Sequence, residues 1–182
     1  ASAVLSGLVS KAYIILLVKI FYRVVGIDFI VTSKMMNVFF IFGLVGMIMG
    51  SVSAILEKDI RRMIAYSSVA QIGYVYMGIG LGIEQGYVAA VYHILHHAAT
   101  KALLFISVVG LSNVSGGSKM FPDLRGAGYR HRTAGVAFAV GSFSMVGLPM
   151  FSGFISKYLF ATAAMEANPK KVFLTLVVAV QR

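Results

Sequence analysis

The sequence predicts an all-α protein, a polytopic transmembrane bundle of about six to seven spans. Three observations predict it. Of 182 residues, 59% are hydrophobic and only 12% charged, whereas a soluble domain carries roughly 25% charged residues. The mean hydropathy is +0.87. Apolar runs of about the 20 residues a span requires follow one another with short connections. No stretch is left over for a soluble domain, so residues 1–182 read as a single transmembrane domain.

The net charge of +10 raises the question of nucleic acid, because basic patches attract phosphates. The positive charge sits instead in short connections between apolar runs, where it sets membrane orientation. The expected partner is therefore the lipid bilayer and not nucleic acid. Cysteine is absent, which excludes disulfides and thiolate-held metals or clusters. The chain opens on Ala1 and closes inside an apolar run, so it reads as part of a longer polytopic protein.

Taken in order, the spans fall at about 2–25, 35–56, 62–82, 86–111, 133–147 and 150–166, with a seventh starting near 171. Residues 112–132 form the longest polar loop, marked by Gly116, Gly117, Pro122 and most of the loop charge. Gly43, Gly46 and Gly50, and again Gly73 and Gly78, place small residues on one helix face. Such faces let helices approach closely in lipid.

The stretch 133–165 is too long for one span and is broken at Gly147-Leu148-Pro149, because proline removes a donor and disfavours helix before itself. Either a tight reversal joins two helices here, or one long helix is kinked. With a reversal, Lys58, Arg61, Arg62, Lys119, Arg125, Arg130, Arg132, Lys170 and Lys171 share one side, against Arg23 and Lys34. Without it, the split is seven to four. The positive-inside tendency favours the more asymmetric split, hence the reversal, with the lysine-rich side cytoplasmic.

The phrase Leu5-Ser6-Gly7-Leu8-Val9-Ser10-Lys11 returns as Phe151-Ser152-Gly153-Phe154-Ile155-Ser156-Lys157. With a reversal the two copies lie on antiparallel helices, as in the inverted repeats that build transporters.

Four lysines fall within spans: Lys11, Lys19, Lys101 and Lys157. Each costs about 2.5–3.5 kcal/mol at a helix centre on insertion scales, which makes a deep lysine a functional candidate. Lys19 lies close enough to a span end to snorkel to the interface; the other three sit deeper. In His93–Phe105, residues His93, His97 and Lys101 recur at i, i+4, i+8 and line one stripe, with His96 beside it.

Three uses compete for these histidines. Any one of them is commonly a packing residue. Histidines at i, i+4 can share a metal, but no Asp, Glu or Cys lies in the interior of a span to complete a shell, and two on one helix cannot straddle a haem. The third use is a proton relay. Two charges about 7 Å apart repel by roughly 2 kcal/mol at an effective dielectric near 20, so loading one site unloads its neighbour. Ser6, Ser10, Ser152 and Ser156 add hydroxyls, and Gly7 and Gly153 permit local helix irregularity.

At these residues the sequence resembles the antiporter-like, proton-translocating membrane subunits of respiratory complex I, Mrp-type cation/proton antiporters and membrane-bound hydrogenases. The matching segments are EKDIRRMIAYSSVAQIGY (Glu57 to Tyr74), His93 through Phe105, and Gly147-Leu148-Pro149 through Lys157. The first is highly specific. The resemblance implies a fold of two inverted five-helix bundles, each with a broken helix. It also implies that Lys11 and Lys157 match the charged residues of the two broken helices, and that His93, His97 and Lys101 match a central relay. Lysine at 157 is more similar to the Mrp D-type than to the glutamate-bearing complex I subunit. The glutamate that the family pairs with its first lysine is not in this chain, so this segment alone is not expected to transport. The second span carries no titratable residue between Lys34 and Glu57, which leaves continuity of the relay open there.

The expected function is proton translocation, with Na⁺/H⁺ antiport as a variant, within a larger complex in a prokaryotic cell membrane. Its expected site is Lys11, His93, His97, Lys101 and Lys157, supported by His96, Ser10, Ser156, Gly153 and Pro149. No cofactor or catalytic motif is legible, so redox chemistry would belong to partner subunits. The alternatives are a metal- or haem-binding membrane subunit using His93, His96 and His97, and a non-conducting scaffold subunit.

Overall fold

The computed structural model describes residues 9–20, 23–24 and 34–167. Among them the helices are α1 (Ser10–Ile20), α2 (Met35–Leu56), α3 (Ile60–Gly80), α4 (Glu84–Asn113), α5 (Ala127–Arg130), α6 (Arg132–Val146) and α7 (Ser152–Glu166). Ser6, Gly7 and the expected seventh span lie outside the described residues. α2 and α4 are each long and apolar enough to cross a membrane by themselves.

Glycine sets the closest contact. A Cβ on Gly43 would come within 2.8 Å of the Gly73 carbonyl, and one on Gly73 within 2.7 Å of the Gly43 carbonyl. Gly50 meets the Ala70 backbone in the same way, and Gly80 meets Phe40. Because these pairs run 43 to 73, 50 to 70 and 40 to 80, α2 and α3 are antiparallel along their whole length. The small-residue face read from the sequence is this interface. Gly78 serves a different one, lying against Phe160, Gly86 and Ala90.

The corner between α2 and α3 is capped by Asp59, whose carboxylate accepts from Arg61 N at 2.7 Å and Arg62 N at 3.2 Å. This satisfies donors a helix start leaves unpaired. The long connection folds back onto the same corner: Ile60 N donates to the Lys119 carbonyl at 3.0 Å, and Phe121 N to Lys58 at 3.2 Å. Residues 112–132 are thus a tethered loop, and they contain the short helix α5.

The expected reversal at Gly147-Leu148-Pro149 is not what forms. Gly110 packs on Ala134 and Gly141 on Leu104, both between α4 and α6. Beyond the break, His96 meets Ser152, His93 meets Ser156 and Gln85 meets Glu166. The α4 partner falls steadily from 110 to 85 as the chain advances from 134 to 166. α6 and α7 therefore run in one direction and form a single helix broken in the middle. The break holds Gly147 at φ 82° and Met150 at φ 78°, left-handed values that glycine accepts and methionine resists. Loop charge is a weak guide at this break because the asymmetry that favours a reversal depends on Lys170 and Lys171, which lie outside the described residues. Lys58, Arg61, Arg62, Lys119, Arg125, Arg130 and Arg132 remain gathered at the α2–α3 and α4–α6 corners.

Lys11 lies within electrostatic reach of His97 and His93, and Ile14, one turn on, clusters with Val75, Ile79, Ala90 and Ile94. Advancing along α1 thus retreats along α4, so α1 points the same way as α7. The described end of the first copy, Val9 to Lys11, and the second copy thus lie on helices that point the same way, not in opposite directions.

Candidate functional site

The stripe on α4 is the centre of the site. An α-helix brings i, i+4 and i+8 to one face, and that face is turned inward: His93 is 4% exposed, His97 2% and Lys101 0%. The His93 and His97 rings are nearly parallel, 2° apart, with centroids 6.0 Å apart. His96 faces α6 and α7 and is also buried.

Each group is held by a neighbouring helix. Lys101 Nζ donates to Ser67 Oγ at 2.6 Å and to the Ile64 carbonyl, both on α3. That carbonyl also accepts from Ser67 and Ser68, at 3.0 and 3.2 Å. His93 Nδ1 lies 2.6 Å from Ser156 Oγ, a hydroxyl with no exposed surface. His96 Nδ1 lies 3.0 Å from Ser152 Oγ, which in turn is 3.1 Å from Ser144 Oγ. Hydroxyls both donate and accept, so His96, Ser152 and Ser144 can pass hydrogen-bond direction along the break.

The break itself holds the third lysine. Lys157 Nζ donates to the Val146 carbonyl at 2.5 Å, taking up one of the acceptors that the end of α6 leaves without an intrahelical partner. Pro149 belongs to the five residues between the helices, and Gly153 touches the Ser144 carbonyl with no room for a Cβ. Lys157 is half-buried, shallower than the sequence placed it. Lys11, 4% exposed on α1, donates to Ser10 Oγ at 3.3 Å. Lys19 is exposed, as a snorkelling side chain would be.

The structure thus gathers His93, His96, His97 and Lys101 on α4, with Lys11 approaching from α1 and Lys157 from α7. His93 and His96 address serines a full turn apart, and among the described residues no three His, Asp or Glu side chains converge as a metal shell would. Sequence reasoning passed over Ser67, Gln71, Thr100 and Ser144. Ser67 and Gln71 recur at i, i+4 within the most specific motif. The periodicity that exposed the histidines would have exposed them too.

Fold and site together define a polytopic helical membrane protein that keeps ionisable side chains in its interior. The chain belongs to the NADH:quinone oxidoreductase/Mrp antiporter transmembrane family, whose model matches residues 1–181. It is 36% identical over 133 residues to an NADH-quinone oxidoreductase subunit N from Desulforudis audaxviator, covering 73% of this chain and 26% of that protein. Among solved structures, a chain of the Mrp complex from Dietzia sp. DQ12-45-1b superposes with a TM-score of 0.83 at 28% identity, covering 98% of this chain and 33% of that one. A chain of the membrane-bound sulfane sulfur reductase, an archaeal respiratory membrane complex, gives 0.73 at 30% identity, covering 81% and 30%. The chain therefore spans between a quarter and a third of the length of these relatives.

Proposed function

We propose that this chain is part of a proton-translocating subunit of a larger membrane complex, and that protons move through Lys11, His93, His97, Lys101 and Lys157. The observation that supports it most is Lys101. A fully buried amine is costly in a membrane protein, yet this one is supplied with a serine hydroxyl and a carbonyl and set one turn from His97. A purely structural core would replace it with an apolar side chain at lower cost.

The relay runs from Lys101, held by α3, along His97 and His93 to Ser156 on α7, and on to Lys157 at the break. Lys11 enters beside His97 and His93. Acceptors at Ile64 and Val146 hold each ammonium until its proton passes on. The host is an Mrp-type or complex I-like assembly in a prokaryotic cell membrane, with Na⁺ as the exchanged ion in the Mrp case. Any redox chemistry belongs to partner subunits. The test is Lys101→Ala and Lys157→Ala in the protein as the cell makes it, followed by proton uptake into membrane vesicles. Pumping that is unchanged in both variants would falsify the proposal.

A further inference from the structure

Among the described residues, three buried nitrogens have no hydrogen-bond partner: Gln71 Nε2, His93 Nε2 and His97 Nε2. Their residues are 3%, 4% and 2% exposed. Buried polar groups are nearly always satisfied by protein or by ordered water, and an orphan costs about 1–3 kcal/mol. One such atom would be unremarked in many proteins; three on one interface share a cause.

Their positions are correlated. α3 and α4 are antiparallel, with Lys101 at the level of Ile64 and Ser67, and Gly86 and Ala90 at the level of Gly78. Gln71, midway along α3, therefore stands opposite the two histidines. The Gln71 backbone carbonyl lies close enough to act on the His93 ring as a weak acceptor, yet outside hydrogen-bond geometry, so Nε2 stays unsatisfied by a direct bond. Gln71 is four residues from Ser67, so the two lie on one stripe of α3, facing the Lys101, His97 and His93 stripe of α4. The Nδ1 edge of His93 is occupied by Ser156, which leaves Nε2 as the atom available to a further partner.

We propose that Gln71 and the Nε2 atoms of His93 and His97 form a bound-water site, in which Gln71 is the positioning residue that lets the two rings exchange a proton. The inference rests on the relay reading above. An amide carries both a donor and an acceptor, so Gln71 can serve a water whichever ring nitrogen is protonated. No apolar side chain can do this, and a carboxylate would add a charge. The titratable groups around the site are Lys11 from α1, Tyr74 from α3, His96 and Lys101 from α4, and Lys157 from α7. None of these is acidic.

The experiment compares Gln71→Met with Gln71→Asn in the intact complex. Methionine keeps much of the length and shape and removes the amide. In a dry site, deleting an orphaned amide leaves the melting midpoint unchanged or raises it; around a bound water it lowers the midpoint. The expected result for Gln71→Met is a lower midpoint, proton flux slower by about tenfold, and a displaced pH profile of flux. Gln71→Asn, which retains an amide, recovers a substantial part of the flux. A midpoint that holds or rises overturns the water site. An unchanged pH profile, or an asparagine variant no better than methionine, overturns the positioning role. His93→Ala and His97→Ala keep the two ideas apart. If they stop flux while Gln71→Met does not, the relay stands and the Gln71 inference falls. If they too leave flux intact, the relay itself falls.

Discussion

His93 and Ser156 meet across the α4–α7 interface with Nδ1 and Oγ 2.6 Å apart, joining the central stripe to the broken helix through a hydroxyl with no exposed surface. Because a hydroxyl can donate or accept, this contact serves either tautomer of the ring and keeps Nδ1 coupled to α7 whichever nitrogen carries the proton. Ser156→Ala removes that coupling. Proton flux is expected to fall several-fold while the assembled protein survives, since one hydrogen bond is worth about 1 kcal/mol net. Nitrogen NMR of labelled histidine would show an altered tautomer balance at His93. An unchanged balance would contradict the coupling.

Lys101 and Ser67 form a graded pair. Lys101→Met removes the amine and should abolish flux, whereas Ser67→Ala leaves the Ile64 carbonyl as an acceptor and should only slow it. Lys101→Arg is not a conservative exchange, because the planar guanidinium needs a wider cradle, and it should behave like methionine. Vesicle flux in the three variants checks the order, and equal rates for Ser67→Ala and Lys101→Met would contradict it.

The α2–α3 contact is steric. Gly50→Leu would drive a side chain into the Ala70 backbone, and overpacking of this kind costs about 1–3 kcal/mol. A melt in detergent should show the loss. Gly46→Ala is the matched control, since its Cβ would meet only the Gly73 Cα at an ordinary 3.7 Å. Equal losses for the two glycines would mean that backbone proximity is not what matters there.

The break stores strain at one residue. Met150 is fully exposed at φ 78°, and left-handed backbone costs a side-chain-bearing residue about 1–2 kcal/mol. Met150→Gly is expected to raise the melting midpoint. Gly147→Ala, at φ 82° and crowded by the Lys157 stem, is expected to lower it. Opposite signs at two positions three residues apart are a sharp check on the geometry of the break.

Lys157→Met takes the lysine donor away from the Val146 carbonyl. A buried acceptor left unmade costs about 1–3 kcal/mol, though the half-exposed setting places this near the low end. The variant should therefore combine a small loss of stability with a large loss of flux. A large loss of stability with flux intact would make Lys157 a structural cap and nothing more.

The sequence alone determined the membrane class, the rough limits of the long helices among the described residues, the shared stripe of His93, His97 and Lys101, and the family. These depend on composition, run length and local period, all of which are properties of contiguous residues. Tertiary structure alone decided that α6 and α7 continue in one direction, that Lys11 and Lys157 ride parallel helices, and that Ser67, Gln71 and Ser144 belong to the site. A glycine-proline break permits either a turn or a kink, and local chemistry is nearly the same in both. Only packing against α4, which offers successive partners from Gly110 down to Gln85, selects between them.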